Sequence, residues 1–231
     1  MNLIISLLGQ KHHNLFNEKF IYNKKKKVNS FLLDQILGKF FFCEKIFIIC
    51  KKKTNINSAI ISKKNNKIKI IYSHETTNQI NSILKVKNFI KKNKKIIILN
   101  PDSLFDVNPK VFNNRLDGIV FNIDNNDVGR NFRKKDTLYL DKKNKIIKIK
   151  KKTKDLKDKI ISSGLYYFNS WEYFTEGCLR INDINKKNLH VADVFIKLIK
   201  NKNIGTKAVK NFICFKDKKK IDEYKFWKKY F

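Results

Sequence analysis

The pattern of apolar and polar positions predicts a layered α/β fold. Short, uninterrupted apolar runs have the length of strands that are buried on both faces. In the first part of the chain they occupy residues 2–8, 45–50, 68–72 and 96–99. Apolar residues at helical spacing predict two helices, at residues 30–40 and 77–91. Strands that alternate with helices are typical of a sheet covered by helices on both faces.

The second part of the chain contains more strands. They are predicted at residues 118–123, 138–140, 145–149, 160–168 and 206–215. A polar turn at residues 141–144 joins two of them in a hairpin, and helices are predicted at 188–200 and 220–230. Residues 10–27 are polar and predicted to form a long loop. Without a repeat or a Gly/Pro/Ser-rich linker, residues 1–231 are expected to form one three-layer α/β/α domain with a mixed, mainly parallel sheet.

The run at residues 96–99 ends in Asn100, Pro101 and Asp102. Ligands of open α/β sheets bind just beyond the carboxyl ends of the strands, which makes Asp102 a candidate site residue. The same residue types also form ordinary turns. The segment by itself leaves both interpretations open.

The formal net charge is +32, from 52 lysines and arginines against 20 acids. Only four of the basic residues are arginines, and Asn, Ile, Phe and Tyr are abundant. Codons rich in A and T encode this set, so codon bias explains the charge without selection for it. Nucleic-acid readers favour arginine for bidentate contacts, so specific nucleic-acid binding is not predicted. Non-specific binding to nucleic acid or to an anionic surface stays an alternative function.

Other common classes of site are not supported. The four cysteines lack C-x-x-C spacing and lie in or beside apolar runs, which favours buried free thiols in a reducing cytoplasm. No run of 18 apolar residues exists to span a membrane, and the start is expected to be a strand and not a secretory signal. His12 and His13 are interpreted as loop residues, because no cysteine pair or acid accompanies them as in zinc sites.

Several segments of the second half resemble the sugar-phosphate nucleotidylyltransferases, also called sugar-nucleotide pyrophosphorylases. The family has an apolar strand, an Asn or similar residue and then a metal-binding Asp, as in residues 96–103. A "DG" strand follows at Asp117-Gly118. The strand "s.GiYyF.s" is matched by residues 162–170, with Gly164 at the glycine that lies against the sugar. Further likenesses are the hairpin at 138–151, the helix at 190–204 and the closing segment at 212–224.

The first half departs further from the family. The signature G-x-G-[ST]-R appears as residues 9–13, Gly-Gln-Lys-His-His, so Gly9 is kept while the second Gly and the Arg are lost. Lys19 is the remnant of the P-K-P-L motif. Residues 75–84 align with "ETxGPAETAL", where Asn78 replaces the glycine that packs against the base. Lysines at 150–152 stand where the family has a sugar-binding Glu. Cys214 stands where some members have a second metal-binding Asp.

The resemblance implies a Rossmann-like nucleotide-diphospho-sugar transferase fold and a Mg²⁺-dependent enzyme. Its substrates would be a nucleoside triphosphate and a sugar 1-phosphate, and its role the synthesis of surface polysaccharide. It assigns catalysis to Lys19 and Asp102, metal binding to Asp102, and substrate contacts to Gly9, Asn78 and Gly164. The losses in residues 9–13 favour an alternative, a catalytically degenerate member that binds a sugar phosphate or nucleotide without turnover.

Overall fold

The computed structural model describes residues 1–8, 31–51, 66–74, 76–124, 135–153, 159–215 and 218–227. Gly9, Lys19 and the predicted loop at 10–27 lie outside these residues.

The described residues form ten strands and five α-helices. The strands are β1 (Asn2–Ser6), β2 (Lys45–Cys50), β3 (Ile68–Tyr72), β4 (Ile96–Leu99), β5 (Ser103–Asp106), β6 (Gly118–Ile123), β7 (Lys135–Leu140), β8 (Ile146–Thr153), β9 (Ile160–Phe168) and β10 (Ile204–Cys214). The helices are α1 (Phe31–Lys39), α2 (Gln79–Ile83), α3 (Trp171–Leu179), α4 (Val191–Leu198) and α5 (Lys218–Trp227). Two 3₁₀ segments follow α2 and β5, at Leu84–Phe89 and Pro109–Phe112.

The sheet has the strand order β3-β2-β1-β4-β9-β6-β10-β5. Its first four strands are parallel, and β10 is parallel to β6. Strand β9 runs antiparallel between β4 and β6, and the β7–β8 hairpin pairs with the start of β9. Every residue of β1 and β4 is buried, as expected for strands covered on both faces.

Helices cover both faces of the sheet. One core cluster packs α1 against alternate residues of β1, β2 and β4, and Tyr224 of α5 lies at its margin. The second cluster packs α2, α3 and α4 against the opposite residues of the same strands. Helix α4 is held on β9 by Phe195, whose ring lies 4.4 Å from that of Phe168. The expected three-layer α/β/α fold with a mixed sheet is confirmed.

Three local predictions were wrong or incomplete. The predicted helix at 77–91 is α2 followed by a 3₁₀ segment, and its buried Ile80, Ile83 and Val86 recur every three residues, the 3₁₀ period. Strand β5 was missed because it has four residues and begins directly after the Asn100–Asp102 turn. Helix α3 was also missed, although Ser170 caps it by accepting a hydrogen bond from Tyr173 N at 3.1 Å.

All four cysteines are free thiols, as predicted; Cys43, Cys50 and Cys178 are buried, whereas Cys214 is only half-buried. Burial raises the pKa of the Cys43 and Cys178 thiols to about 12. Within the described ranges, no helix is both long and apolar enough to cross a membrane.

Candidate active site

Asn100 and Asp102 lie at the carboxyl end of β4, in the turn that leads into β5. Phe215 N donates a hydrogen bond to the Asp102 carbonyl at 2.8 Å, which joins this turn to the end of β10. The Ser103 hydroxyl lies 3.4 Å from Asp102 Oδ1, and the Asp102 side chain is half-buried. Asp102 therefore belongs to a turn and also stands at the strand end where ligands of such sheets bind.

Gly164 faces this turn from a bulge in β9. The β6–β9 register shifts between Val120 and Asn122, which accommodates the extra residues of β9. Gly164 has φ +86°, a backbone conformation that side chains disfavour, and its carbonyl accepts from Asn100 N at 2.9 Å. A Cβ at Gly164 would lie 2.7 Å from Asn100 Nδ2. The bulge explains the glycine here, and its contact with a ligand stays a prediction.

Asn78 is the N-cap of α2. Its Oδ1 accepts from Asn81 N at 2.9 Å, while Nδ2 donates to the carbonyls of Ile184 at 2.7 Å and Lys186 at 3.0 Å. This side chain therefore joins α2 to the loop before α4. The next residue, Gln79, reaches Asn100 Oδ1 with its Nε2 at 2.7 Å.

A second group of polar side chains borders the turn on the side of α4 and the hairpin. This polar cluster consists of Asp136, Lys151, Tyr166, His190 and Asp193. Lys151 of β8 donates to both carboxylate oxygens of Asp193 of α4, at 2.7 and 2.9 Å. Asp193 also accepts from His190 N at 2.8 Å, half of a capping box at the start of α4. The lysine in place of the family's Glu is thus neutralised within the protein.

The polar cluster and the turn interact electrostatically. Burial raises the pKa of Tyr166, and the carboxylates of Asp136, Asp193 and Asp102 raise it further. Burial, followed by the charge of Lys151, lowers the pKa of His190. Asp102 therefore lies near enough to Tyr166 for its charge to act on the phenol.

The structure brings Asp102, Gly164 and the start of α2 together around Asn100, and leaves Gly9 and Lys19 outside the described residues. Cys214, expected near the metal site, pairs with Ser103 across β10 and β5, and Lys135 Nζ lies 4.0 Å from its Sγ. In the described part of the chain no three His, Cys, Asp or Glu side chains cluster as a metal site.

Sequence reasoning singled out the lysines at 150–152 but did not identify the polar cluster. Its members come from β7, β8, β9, α4 and the residue before α4, and only the fold brings them together. One local signal was available: His190 and Asp193 have the three-residue spacing of a capping box before an apolar helical run.

Nearly the whole chain is similar in fold to solved pyrophosphorylases and to a CTP transferase. A nucleoside-diphosphate-sugar pyrophosphorylase from Vibrio cholerae RC9 is 16% identical, with a TM-score of 0.68 over 97% of this chain and 99% of that one. The inositol-1-phosphate CTP transferase from T. maritima is 11% identical, with a TM-score of 0.68 over 96% and 93%. A UDP-glucose pyrophosphorylase complexed with UDP-glucose is 12% identical, with a TM-score of 0.71 over 99% and 98%.

Sequence comparison gives the family. A search of curated proteins found no significant match. The profile of the nucleotidyl transferase family matches residues 20–227, nearly the whole chain, and includes the turn, the Gly164 bulge and the polar cluster. The family resemblance noticed in the sequence is confirmed, and the chain belongs to the nucleotidyl transferase family.

Proposed function

We propose that this protein transfers a nucleotidyl group from a nucleoside triphosphate to a sugar 1-phosphate, releasing pyrophosphate. The observation that carries the proposal is the position of Asp102. It stands beyond the carboxyl end of β4, two residues after Asn100, which contacts Gly164, in a fold shared over nearly its full length with sugar-nucleotide pyrophosphorylases.

The reaction needs positioning and charge neutralisation more than a covalent intermediate. A phosphate oxygen of the sugar 1-phosphate attacks the α-phosphorus, the bond from that phosphorus to the bridging oxygen breaks, and pyrophosphate leaves with the bonding electrons. Holding both substrates in line removes much of the entropic barrier. Fixed positive groups stabilise the charge that develops on the transferring phosphoryl group.

Asp102 is the residue proposed to hold Mg²⁺. Its single half-buried carboxylate suits an ion that takes most of its ligands from substrate phosphates and water. A resident site built from protein side chains alone would need more carboxylates than this turn provides. When bound, the ion neutralises phosphate charge, and the task of Asp102 is to fix it beside the reacting groups.

The other proposed roles follow from position in the chain. Lys19 would neutralise the leaving pyrophosphate, and the backbone at Gly9 would contact the triphosphate. The Asn78 side chain is committed to Ile184 and Lys186, so Asn78 would contact the nucleotide through its backbone. Gly164 would contact the sugar through its backbone, because the Asn100 side chain lies where a Cβ of residue 164 would be.

The proposed product, a nucleotide sugar, suggests the biosynthetic process in which the protein takes part. Activated sugars feed the synthesis of surface polysaccharides, and we place the protein in that process. A cytoplasmic location agrees with its four free thiols and with a nucleoside triphosphate as substrate.

The Lys151–Asp193 ion pair favours a second candidate, a member that binds a sugar phosphate or a nucleotide without turnover. A lysine cannot accept hydrogen bonds from sugar hydroxyls as a glutamate does. The two candidates are separated by incubating the protein with each common nucleoside triphosphate and a panel of sugar 1-phosphates. A nucleotide sugar detected by mass spectrometry supports the enzyme. Binding of a sugar 1-phosphate by calorimetry with no such product supports the second candidate.

A further inference from the structure

We propose that Asn100 is a specificity-determining residue whose Nδ2 donates a hydrogen bond to a sugar oxygen of the substrate. We propose also that Gln79 is the positioning residue that aims this donor. The inference rests on the proposed function and names side chains that recognise the sugar half of the substrate.

The orientation of both side-chain amides follows from one backbone N–H group. Val191 N can only donate, and its partner at 3.2 Å is Gln79 Oε1. Gln79 Nε2 therefore points the other way, to the Asn100 side chain 2.7 Å away. Because Nε2 is a donor, the Asn100 atom that it meets is the acceptor Oδ1, and Asn100 Nδ2 is turned away from Gln79.

Backbone hydrogen bonds hold both members of the Gln79–Asn100 relay, the pair of side-chain amides joined by the 2.7 Å hydrogen bond. Gln79 N donates to Leu189 O at 3.2 Å, so backbone and side chain of Gln79 both hold the start of α4. Asn100 N is bound to Gly164 O at 2.9 Å. The motif that aligns with residues 75–84 has proline at the position of Gln79. Proline has no side-chain amide, so the relay is a feature of this chain.

The donor group, Asn100 Nδ2, is directed into the proposed site. Nδ2 would lie 2.7 Å from a Cβ on Gly164, so it sits over the position where the chain has no side chain. Asn100 Nδ2 has no hydrogen-bond acceptor among the described residues. It is not buried either, because the buried polar atoms that lack a partner do not include it. With respect to the described part of the chain it is thus an accessible, oriented and unused donor, two residues from Asp102.

The chemistry of this donor matches a sugar better than a phosphate. A neutral amide N–H suits a hydroxyl or ring oxygen, whereas phosphates are usually held by charged groups or backbone N–H clusters. Loss of one such neutral hydrogen bond costs about 0.5–1.5 kcal/mol. That corresponds to roughly a three- to tenfold rise in the KM for the sugar 1-phosphate.

Two substitutions test the relay from its two ends. Gln79→Glu keeps the acceptor for Val191 N but removes the donor to Asn100, so the Asn100 amide should turn over and present Oδ1 to the site. Asn100→Asp keeps the acceptor for Gln79 Nε2 but removes the donor to the ligand. Asn88→Asp, on the exposed surface of the 3₁₀ segment that follows α2, controls for the added negative charge.

With the sugar 1-phosphate that the wild type uses best, both variants should raise the KM for that substrate about three- to tenfold. The KM for the nucleoside triphosphate and kcat should stay within about twofold of wild type. A purely structural role would instead lower the melting temperature and move all kinetic constants together.

Active variants with an unchanged KM for the sugar 1-phosphate would overturn the inference and leave the proposed function standing. If the wild type forms no nucleotide sugar at all, the proposed function fails first. Calorimetry with α-D-glucose 1-phosphate and α-D-mannose 1-phosphate then decides the inference. Binding that weakens in both variants supports it; unchanged binding, or none to the wild type, overturns it.

Discussion

Asn100 Nδ2 lies over the α-carbon of Gly164, so close that a Cβ at Gly164 would stand 2.7 Å from it. Asn100 directly follows β4, Gly164 lies in the neighbouring strand β9, and the two are joined by the 2.9 Å hydrogen bond from Asn100 N to Gly164 O. The bulge that brings them together also imposes φ +86° on Gly164. Only glycine meets both conditions, so the turn at the end of β4 depends on a missing side chain.

Gly164→Ala should therefore destabilise the fold by about 1–3 kcal/mol, the usual cost of a strained backbone conformation. Urea unfolding monitored by circular dichroism measures the change. Gly38→Ala is the matched control: Gly38 lies in α1, and an added Cβ meets nothing within 4 Å. That control should be stabilised by about 0.4–1 kcal/mol. Equal stability of the two variants would show that the bulge does not constrain Gly164.

Asn78→Ala should cost about 2–3 kcal/mol, more than the loss of a helix cap alone. The substitution removes the cap of α2 and also leaves the carbonyls of Ile184 and Lys186 without their donor. Ser170→Ala provides the comparison, because Ser170 caps α3 through one bond to Tyr173 N. It should cost about 1 kcal/mol in the same urea titration. A smaller loss for Asn78→Ala than for Ser170→Ala would contradict the account.

The Lys151–Asp193 pair should show a measurable coupling energy in a double-mutant cycle with Lys151→Met and Asp193→Asn. Its side chains are 27% and 17% exposed, so solvent screens the pair only in part. We expect about 1 kcal/mol, since exposed pairs give about 0.2–1 kcal/mol. The pair Lys220–Glu223 is 54% and 41% exposed and serves as the reference. It should couple more weakly, and a reversed order would mean that burial does not strengthen the first pair.

Stability should depend on pH through His190. Burial and the charge of Lys151 lower its pKa in the folded protein, so the unfolded chain binds the proton more readily. The stabilising contribution is full above the unfolded pKa of about 6.5 and is lost as the pH falls through the folded pKa. Urea unfolding between about pH 5 and 8 should show a smaller slope for His190→Asn, since asparagine does not titrate and is a favoured N-cap residue. Identical slopes in the wild type and the variant would contradict this assignment.

Much of the sheet could be predicted because buried strands are marked by short apolar runs. The bounds of β2, β3, β6 and β9 agree with the sequence prediction. Strand β5 could not be found in this way, since its four residues follow a turn and their burial depends on pairing with β10. The helix predicted at 77–91 was too long, because a spacing of three suits a 3₁₀ turn as well as an α-helix.

The site was predictable only where one segment carries the signal. Asp102 stands out because a buried strand ends just before it, and Gly164 because it interrupts a long strand. Tyr166, Asp136 and Asp193 come from three separate elements, so no local pattern relates them. The Gln79–Asn100 bond joins residues 21 positions apart and depends on how α2 packs beside β4.

We propose that Asp102 belongs to a working nucleotidyltransfer site, and the rate of pyrophosphate release measures the activity of that site. The wild type and Asp102→Asn should be compared across nucleoside triphosphates and sugar 1-phosphates in the presence of Mg²⁺, with Asp222→Asn as a control on the exposed surface of α5. We expect release that requires both substrates, is kept by the control and falls at least about a hundredfold in Asp102→Asn, as when one electrostatic group is removed from an active site. Release from the wild type no greater than from Asp102→Asn would contradict the claim.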